Sequence, residues 1–333
     1  MQRILLVLAL FVLLMSGRHK DPTPPVQSGP LPISIRPLSL SEAEPTRDMF
    51  GPLRLTGAWE LTSPREVFGG ISALTVRPDG WLIGLSDSGE LFELPHEGEV
   101  GGRVRALPRA PEEQDWPRWR MDSESLTYDP HSGRYWVGFE HLQRICGYAP
   151  DFAALEGCVT PAPLQDWPKT GSIESLLRIG EGRFLAIAEM AVNRSGAFQV
   201  LLWQGDPVSP GAAPPVRLSY RAPSGYRPTD ALWLGGDRLL VLNRRLTAAE
   251  GFTARISLVR IPSLRSGIEL KGAVVARLEA PAPADNFEAL ALGWEGRQPV
   301  MWVASDDNRF FFQRTLLLRF ALPRDWVTDG VEG

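Results

Sequence analysis

Four acids and a serine occupy one recurring place in this chain. Ser72, Glu124, Glu174, Asp230 and Glu288 each stand directly before a small residue and a Leu. A second set, Asp87, Glu140, Glu189, Asn243 and Asp306, ends an apolar run shortly after each of the first. Members of both sets return at intervals of 49 to 63 residues. If folding gathers them, up to eight carboxylates share one site. Left unpaired they would repel, so either cations join them or some stay protonated. Oxygen ligands on loops suit a hard cation such as Ca²⁺. On this expectation Glu124, Glu174, Glu288 and Asp230 hold cation or catalytic water. The metal then sits among Glu124, Glu140, Glu174, Glu189, Glu288 and Asp306. The structural alternative is that these acids cap strands, accepting backbone N–H groups of neighbouring repeats.

The flanking residues show what could gather them. "GGISALTVRPDGWLIGLSDSGELFELP" starts at Gly69 and "DSESLTYDPHSGRYWVGFEHLQRICGYAP" at Asp122. "GSIESLLRIGEGRFLAIAEM" starts at Gly171, "RPTDALWLGGDRLLVLNRRL" at Arg227 and "DNFEALALGWEGRQPVMWVASDDNRF" at Asp285. Each holds an apolar strand, a turn rich in Gly and Asp, and a second apolar strand, the pattern of a β-hairpin. Further strands follow, as in "FQVLLWQ" and "PVRLSYRAP" after the third hairpin. Four-stranded units repeated at this length predict an all-β fold, a β-propeller. The repeat count gives five blades, or six if residues 96–121 hide more strands. The last repeat runs short, and the orphan segment "LRLTGAWELTSP" from Leu53 would complete it and close the ring. Hairpin strands are antiparallel, so the start of the first lies beside the end of the second. Both acidic sets then meet at one mouth of the central channel.

Gln-Asp-Trp-Pro occurs twice, at Gln114 and Gln165, leading into the second and third repeats. As crossover loops on the acidic face, these strings would bring Trp116, Trp119 and Trp167 to wall a cleft. Arg118, Arg120 and Lys169 lie beside them; the alternative for Trp is packing between blades. Arg227, Arg244, Arg245, Arg309 and Arg314 share this face. Carboxylates together with Arg fit metal-assisted handling of an anionic group such as phosphate. Of four His, His19 falls in the leader, His96 and His131 read as surface turns, and His141 lies near the mouth. Ser86 or Ser305 with His141 is the remaining route to a Ser-His-Asp hydrolase. Gly-x-Ser-x-Gly, His-Glu-x-x-His, a phosphate-cradling Gly loop and a dinucleotide fingerprint are all missing from the sequence.

At residues 4–15 an apolar stretch follows a single Arg, which suits a signal-peptide core or an uncleaved membrane anchor. It predicts an exported, periplasmic or secreted protein, or one held at the inner membrane by that segment alone. The expected organisation is a signal or anchor at 1–17, a Pro-rich flexible leader at 18–50, one propeller domain at 51–323 and a polar tail at 324–333. A net charge of −4 without a basic run gives no case for nucleic acid. Cys146 and Cys158 flank neighbouring short strands; in an exported protein a disulfide between them is expected, and two separate buried thiols are the alternative.

With these repeats in view, the chain resembles the phytase-like family of bacterial exported proteins, described as having the esterase-like activity of phytase. The resemblance spans about residues 50–323. It is carried by "FGGISALTVRPDGWLIGLSDSG", "DSESLTYDPHSGRYWVGFE", "PTDALWLGGDRLLVLNRR" and "NFEALALGWEGRQPVMWVASDDNRF" with "QRTLLLRFALP". It implies a propeller and hydrolysis of an anionic ester or phosphoester, with a divalent cation such as Ca²⁺. Ser72 departs from the acid found at its place in the other repeats. Two competing readings are a lactonase-type propeller hydrolase and a non-catalytic ligand-binding propeller of the cell envelope.

Overall fold

Residues buried on both faces of a sheet form continuous apolar runs, and the inner strands of each repeat do so: Leu82–Ser86, Tyr135–Phe139 and Thr315–Ala321 are buried throughout. The computed structural model describes residues 26–38, 48–95, 101–261 and 266–328. The apolar segment at 4–15, His19, His96 and residues 329–333 lie outside the described residues. Five blades of four antiparallel strands form a β-propeller. From the channel outwards, blade one is Ile71–Val76, Leu82–Ser86, Glu90–Leu94 and Gly102–Ala106. Blade two is Ser123–Tyr128, Tyr135–Phe139, Arg144–Tyr148 and Leu155–Val159. Blade three is Ile173–Ile179, Arg183–Val192, Phe198–Trp203 and Val216–Arg221. Blade four is Arg227–Trp233, Arg238–Thr247, Gly251–Arg260 and Glu269–Leu278. Blade five takes three strands from the C-terminal end, Phe287–Glu295, Gln298–Ser305 and Thr315–Ala321, and its fourth, Leu53–Thr62, from upstream of blade one.

That fourth strand pairs antiparallel with Thr315–Ala321, from Thr315 opposite Leu61 to Ala321 opposite Arg54. The ring is therefore closed by hydrogen bonds across more than 250 residues of sequence, as in Thr56 Oγ1 donating to the Arg319 carbonyl, 263 residues away. Five apolar clusters wedge the blades apart, each built from two neighbours. The cluster between blades five and one joins Leu61, Ile71, Phe92, Ala289 and Trp302. The cluster between blades four and five joins Leu240, Ile256, Leu290 and Phe320.

The segment expected to be a flexible leader instead contributes strands. Gly29–Leu31 pairs outside blade one, and Ser34–Pro37 pairs outside Leu53–Thr62. Leu31 and Ile33 are buried in the cluster between blades five and one, so apolar burial overrides the Pro-rich composition. Past the last blade, the Thr328 N–H donates to the Leu234 carbonyl, which docks the start of the expected tail. A disulfide joins Cys146 to Cys158, which face each other on adjacent strands of blade two. Among the described residues no helix is long and apolar enough to cross a membrane.

Two outcomes follow from this architecture. Deleting residues 1–38 removes Leu31 and Ile33 and should cost a few kcal/mol, since large buried aliphatics are each worth about 2–5 kcal/mol. Deleting 1–63 removes the closing strand as well and should give aggregated protein by size exclusion; a 1–63 deletion that melts like the full chain would disprove closure. Reducing Cys146–Cys158, 12 residues apart, should lower stability by about 3 kcal/mol through loop-closure entropy. Denaturant midpoints with and without reductant measure this, and identical midpoints would count against it.

Candidate active site at the channel mouth

The first strand of every blade bulges near its start. The register skips one residue between Ile71 and Ala73, between Ile173 and Ser175, and between Phe287 and Ala289. In blade two it skips the residue between Ser123 and Ser125, and in blade four the one between Pro228 and Asp230. The extruded residues are Ser72, Glu124, Glu174, Thr229 and Glu288. Such a bulge turns a side chain out of the pleat, and here three of the five are glutamates.

Blade four departs from the sequence expectation by one residue. Thr229, not Asp230, holds the bulge, and its Oγ1 donates to the Phe287 carbonyl of the next blade at 3.2 Å. Ser72 does the same from blade one, donating to the Ser123 carbonyl at 2.6 Å. The second acidic set is displaced too. Asp87, Glu140, Glu189 and Asp306 bond back to Gly70, Asp122, Ser172 and Asn286, and the matching pair in blade four is Arg244 with Arg227. Asn243 lies one position deeper, where it accepts the Tyr220 hydroxyl at 3.0 Å. Alignment on the small-residue–Leu pair produced the slip, because Asp-Ala-Leu mimics Glu-Ser-Leu.

Arg244 thus stands in the ring of acids. Its Nη2 donates to Glu189 Oε1 at 2.7 Å, its Nη1 donates to Asn286 Oδ1 at 2.5 Å, and it forms an ion pair with Glu288. Asn286 Nδ2 also donates to Glu288 Oε1, at 3.0 Å. Glu189 and Glu288, expected as metal ligands, are engaged by this guanidinium. Glu140 serves blade three: its Oε1 accepts the Ser172 N–H at 3.0 Å and the Gly171 N–H as well. Asp307 does the like for blade one, accepting the Gly70 N–H at 2.9 Å. Gly70 has φ of +68°, and a Cβ there would lie 2.8 Å from Asp87 Oδ1, so the loop beside Asp87 requires glycine. The Asp306 carboxylate accepts the Asn308 N–H at 2.6 Å.

At blade two, Asp122, Glu140 and His141 each offer a ligand atom, all within 4.8 Å of one another. Asp122 and Glu140 are buried, whereas the His141 side chain is 39% exposed. His141 Nδ1 contacts Asp122 Oδ2. Neither serine expected to partner this imidazole is bonded to it: Ser86 Oγ donates to Glu90 at 2.6 Å and Ser305 Oγ donates to the Arg314 carbonyl at 2.6 Å. Asp122 was overlooked in the sequence, although it stands where the other repeats carry Gly, Ser, Arg or Asn. Glu90 was overlooked as well. Fully buried, it accepts Arg118 Nε at 2.5 Å and lies 3.5 Å from Arg309 Nη2.

The expected substrate-binding residues divide accordingly. Arg118 is buried on Glu90, and Arg309 also spans the Glu66, Val67 and Gly69 carbonyls, so both fasten loops. Trp167 is buried between blades two and three, with its Nε1 on Gln199 Oε1 at 3.3 Å. Trp116 is half-buried under the exposed Arg120, whose guanidinium lies 3.7 Å from the ring centroid. The two Gln-Asp-Trp-Pro copies therefore serve different ends: one Trp is a wedge, the other a platform. Lys169 and Arg227 are exposed. Arg245 stacks on Tyr226 and pairs with Glu250, and Arg314 lies 3.5 Å from Asp285. His131 is exposed in a turn.

Asp230 sits one residue below the bulge layer. Its Oδ2 accepts the Leu290 N–H and its Oδ1 the Ala231 N–H, both at 2.7 Å. Burial pushes its carboxyl well above the usual carboxylate range, against the pull of those two N–H groups. Burial also raises Asp285, opposed by the Asn286 N–H and by Arg314.

The sequence profile of the family described as "Phytase-like: Esterase-like activity of phytase" matches residues 66–309. Among solved structures, the chain is similar to a putative oxidoreductase (glucose dehydrogenase) from Thermus thermophilus. They share 12% identity, with 80% of this chain and 99% of that one covered and a TM-score of 0.44. The PQQ-bound aldose sugar dehydrogenase of Streptomyces coelicolor shares 12% identity over 90% of this chain and all of that one, with a TM-score of 0.40. The RRP9 WD40 repeats share 9% identity over 86% of this chain and all of that one, with a TM-score of 0.40. No curated protein matches the sequence.

The buried acid yields a pH test. A carboxyl whose folded pKa lies above its unfolded value of 3.8 contributes fully below that value. The contribution is lost as pH rises through the folded pKa. Asp230→Asn cannot titrate, so its melting temperature relative to wild type should improve steadily from pH 4 to pH 8. A difference that stays constant over this range would show that Asp230 ionises alike in both states.

Proposed function

The chain belongs to the phytase-like family, and on that premise we propose that it is an exported hydrolase of an ester or phosphoester that works at the acidic mouth with a divalent cation. The observation that carries this reading is the grouping of Asp122, Glu140 and His141 within 4.8 Å of one another, in a ring whose Glu189 and Glu288 are already neutralised by Arg244. Two carboxylates and an imidazole fit a divalent cation, and the imidazole extends the choice from Ca²⁺ to Zn²⁺ or Mn²⁺. When bound, such an ion would lower the pKa of a water and polarise the carbonyl or phosphoryl oxygen of the ester.

The chain's own residues supply the rest. Asp122 orients the His141 ring, and the Gly171 and Ser172 N–H groups hold Glu140 in place. Glu124 and Glu174, the bulged residues of blades two and three, are the nearby carboxylates along the chain to receive the proton of the attacking water. Arg227 shares the register of Asp122 and is exposed, so it is the candidate to bind the anionic part of the substrate, with Arg120 and Lys169 flanking. A lactone is an internal ester and falls within the same reading. The Cys146–Cys158 disulfide supports export, because such bonds persist in oxidising compartments.

The test combines melting curves with hydrolysis. Saturating Zn²⁺, Mn²⁺ or Ca²⁺ should stabilise the wild type by about 2.7 kcal/mol at a hundredfold excess over Kd. The shift should shrink in His141→Gln and Glu174→Gln, and chelator should abolish cleavage of 4-nitrophenyl acetate or 4-nitrophenyl phosphate. No cation shift in wild type means that the acids are structural. A cation shift without hydrolysis of either ester would make the mouth a binding site rather than a catalytic one.

A further inference from the structure

The channel opens on the other face as well. A cavity of about 520 Å³ occupies it there, among the far ends of the first strands. Leu74, Leu126, Leu177, Leu232 and Leu290, drawn from all five blades, line it together with the polar Thr75, Thr127, His131, Arg178 and Glu181. Tyr128 and Trp233, the last residues of their strands, also line it. The volume is that of small-molecule sites, which pair apolar walls with placed polar groups.

The placed group here is Asp230. It lines the cavity and is more than nine-tenths buried. The equivalent positions in the other blades hold Ala73, Ser125, Ser175 and Ala289, so the fold itself accepts a small residue at this point. Each Asp230 oxygen accepts one backbone N–H, and among the described residues no cationic side chain is paired with it. Arg178, which also lines the cavity, pairs with Asp129 at 3.3 Å. Burying a carboxyl without a counter-charge is costly, and packing does not require it where alanine suffices.

We infer that this cavity is a second ligand site, distinct from the acidic mouth, which takes a small apolar molecule carrying a protonated amine, with Asp230 as its counter-ion. The ammonium supplies the missing charge partner, the aliphatic body takes the place of water against the Leu walls, and the Tyr128 and Trp233 rings favour a passing cation. This inference does not rest on the hydrolytic reading, since it uses neither the cation nor the mouth.

The test is calorimetric titration of the full chain, without divalent cation, with n-hexylamine and with n-hexanol, which has nearly the same shape and no charge. Hexylamine should bind at least tenfold more tightly than hexanol. Asp230→Asn should erase that preference, and Thr75→Trp, which narrows the cavity from its lining without touching Asp230, should weaken both ligands. Glu174→Gln should leave hexylamine binding unchanged. No binding of hexylamine, equal affinity for amine and alcohol, or loss of binding in Glu174→Gln but not in Asp230→Asn or Thr75→Trp would each overturn the proposal. If Asp230→Asn fails to fold, the amine-to-alcohol ratio in wild type and the Thr75→Trp result still decide it.

Discussion

Every property of the channel depends on one antiparallel pairing, that of Leu53–Thr62 with Thr315–Ala321. Without it blade five has three strands, and the cluster between blades five and one loses Trp59 and Leu61. The first strands of blades one and five would then rest on the remainder of that cluster and on loop bonds such as Asp307 with the Gly70 N–H. Only a closed ring makes five strand ends converge, so a bond made across most of the sequence positions the acids of blades two and three, which it never touches. Such long-range pairing is slow to form, and the additional pairing of Ser34–Pro37 against the same strand lengthens the seam.

The bulges convert that geometry into chemistry. An unbulged strand would direct alternate side chains into the clusters between blades, and an acid placed there would be buried in hydrocarbon. The skipped residue lets Glu124, Glu174 and Glu288 leave the pleat at the mouth while Leu126, Leu176 and Leu290, two residues on, remain in the walls. Concentrating carboxylates costs repulsion, which the structure offsets unevenly. Arg244 neutralises the side of blades three to five, and backbone N–H groups take one oxygen of Glu140 and Asp307. The structural alternative for the acids is therefore met by Glu140, which accepts backbone N–H groups of the next blade, while Glu189 and Glu288 are engaged by Arg244.

The architecture was legible in the sequence because blades repeat. Hairpin pattern, spacing and the orphan strand at Leu53 each derive from local periodicity, and periodicity survives in a single chain. What failed was finer than the repeat. Asp230 and Asn243 were misplaced by one residue because a bulge leaves no mark in composition, and the Asp-Ala-Leu string aligned more readily than Thr-Asp-Ala. Arg118 was expected beside a ligand cleft, and Trp167 either as its wall or as packing between blades; Trp167 takes the second role and Arg118 is buried. Their burial depends on Glu90 and on the gap between blades two and three, partners far away in sequence. The strands at Gly29–Leu31 and Ser34–Pro37 were hidden by Pro-rich composition, since two or three apolar residues suffice to dock an outer edge strand.

The misplaced residue is also the informative one. A one-position slip moves a carboxylate out of the ring where Arg244 and backbone N–H groups meet the acids, into a layer where among the described residues no cationic side chain is paired with it. In the ring Glu189 has Arg244 and Glu140 has two N–H groups; one layer down Asp230 has two N–H groups and shares a cavity with Leu side chains. The same channel thus gathers acids at one end, and at the other Leu side chains with Asp230, Glu181, Arg178 and His131. Carboxylates at the mouth disfavour an anion unless Arg227 or a cation offsets them, and the Leu side chains at the other end favour a ligand with an apolar body. On the two proposals, opposite faces of one closed ring answer to chemically opposite molecules, and the bulge at Thr229 decides on which side the blade-four carboxylate falls.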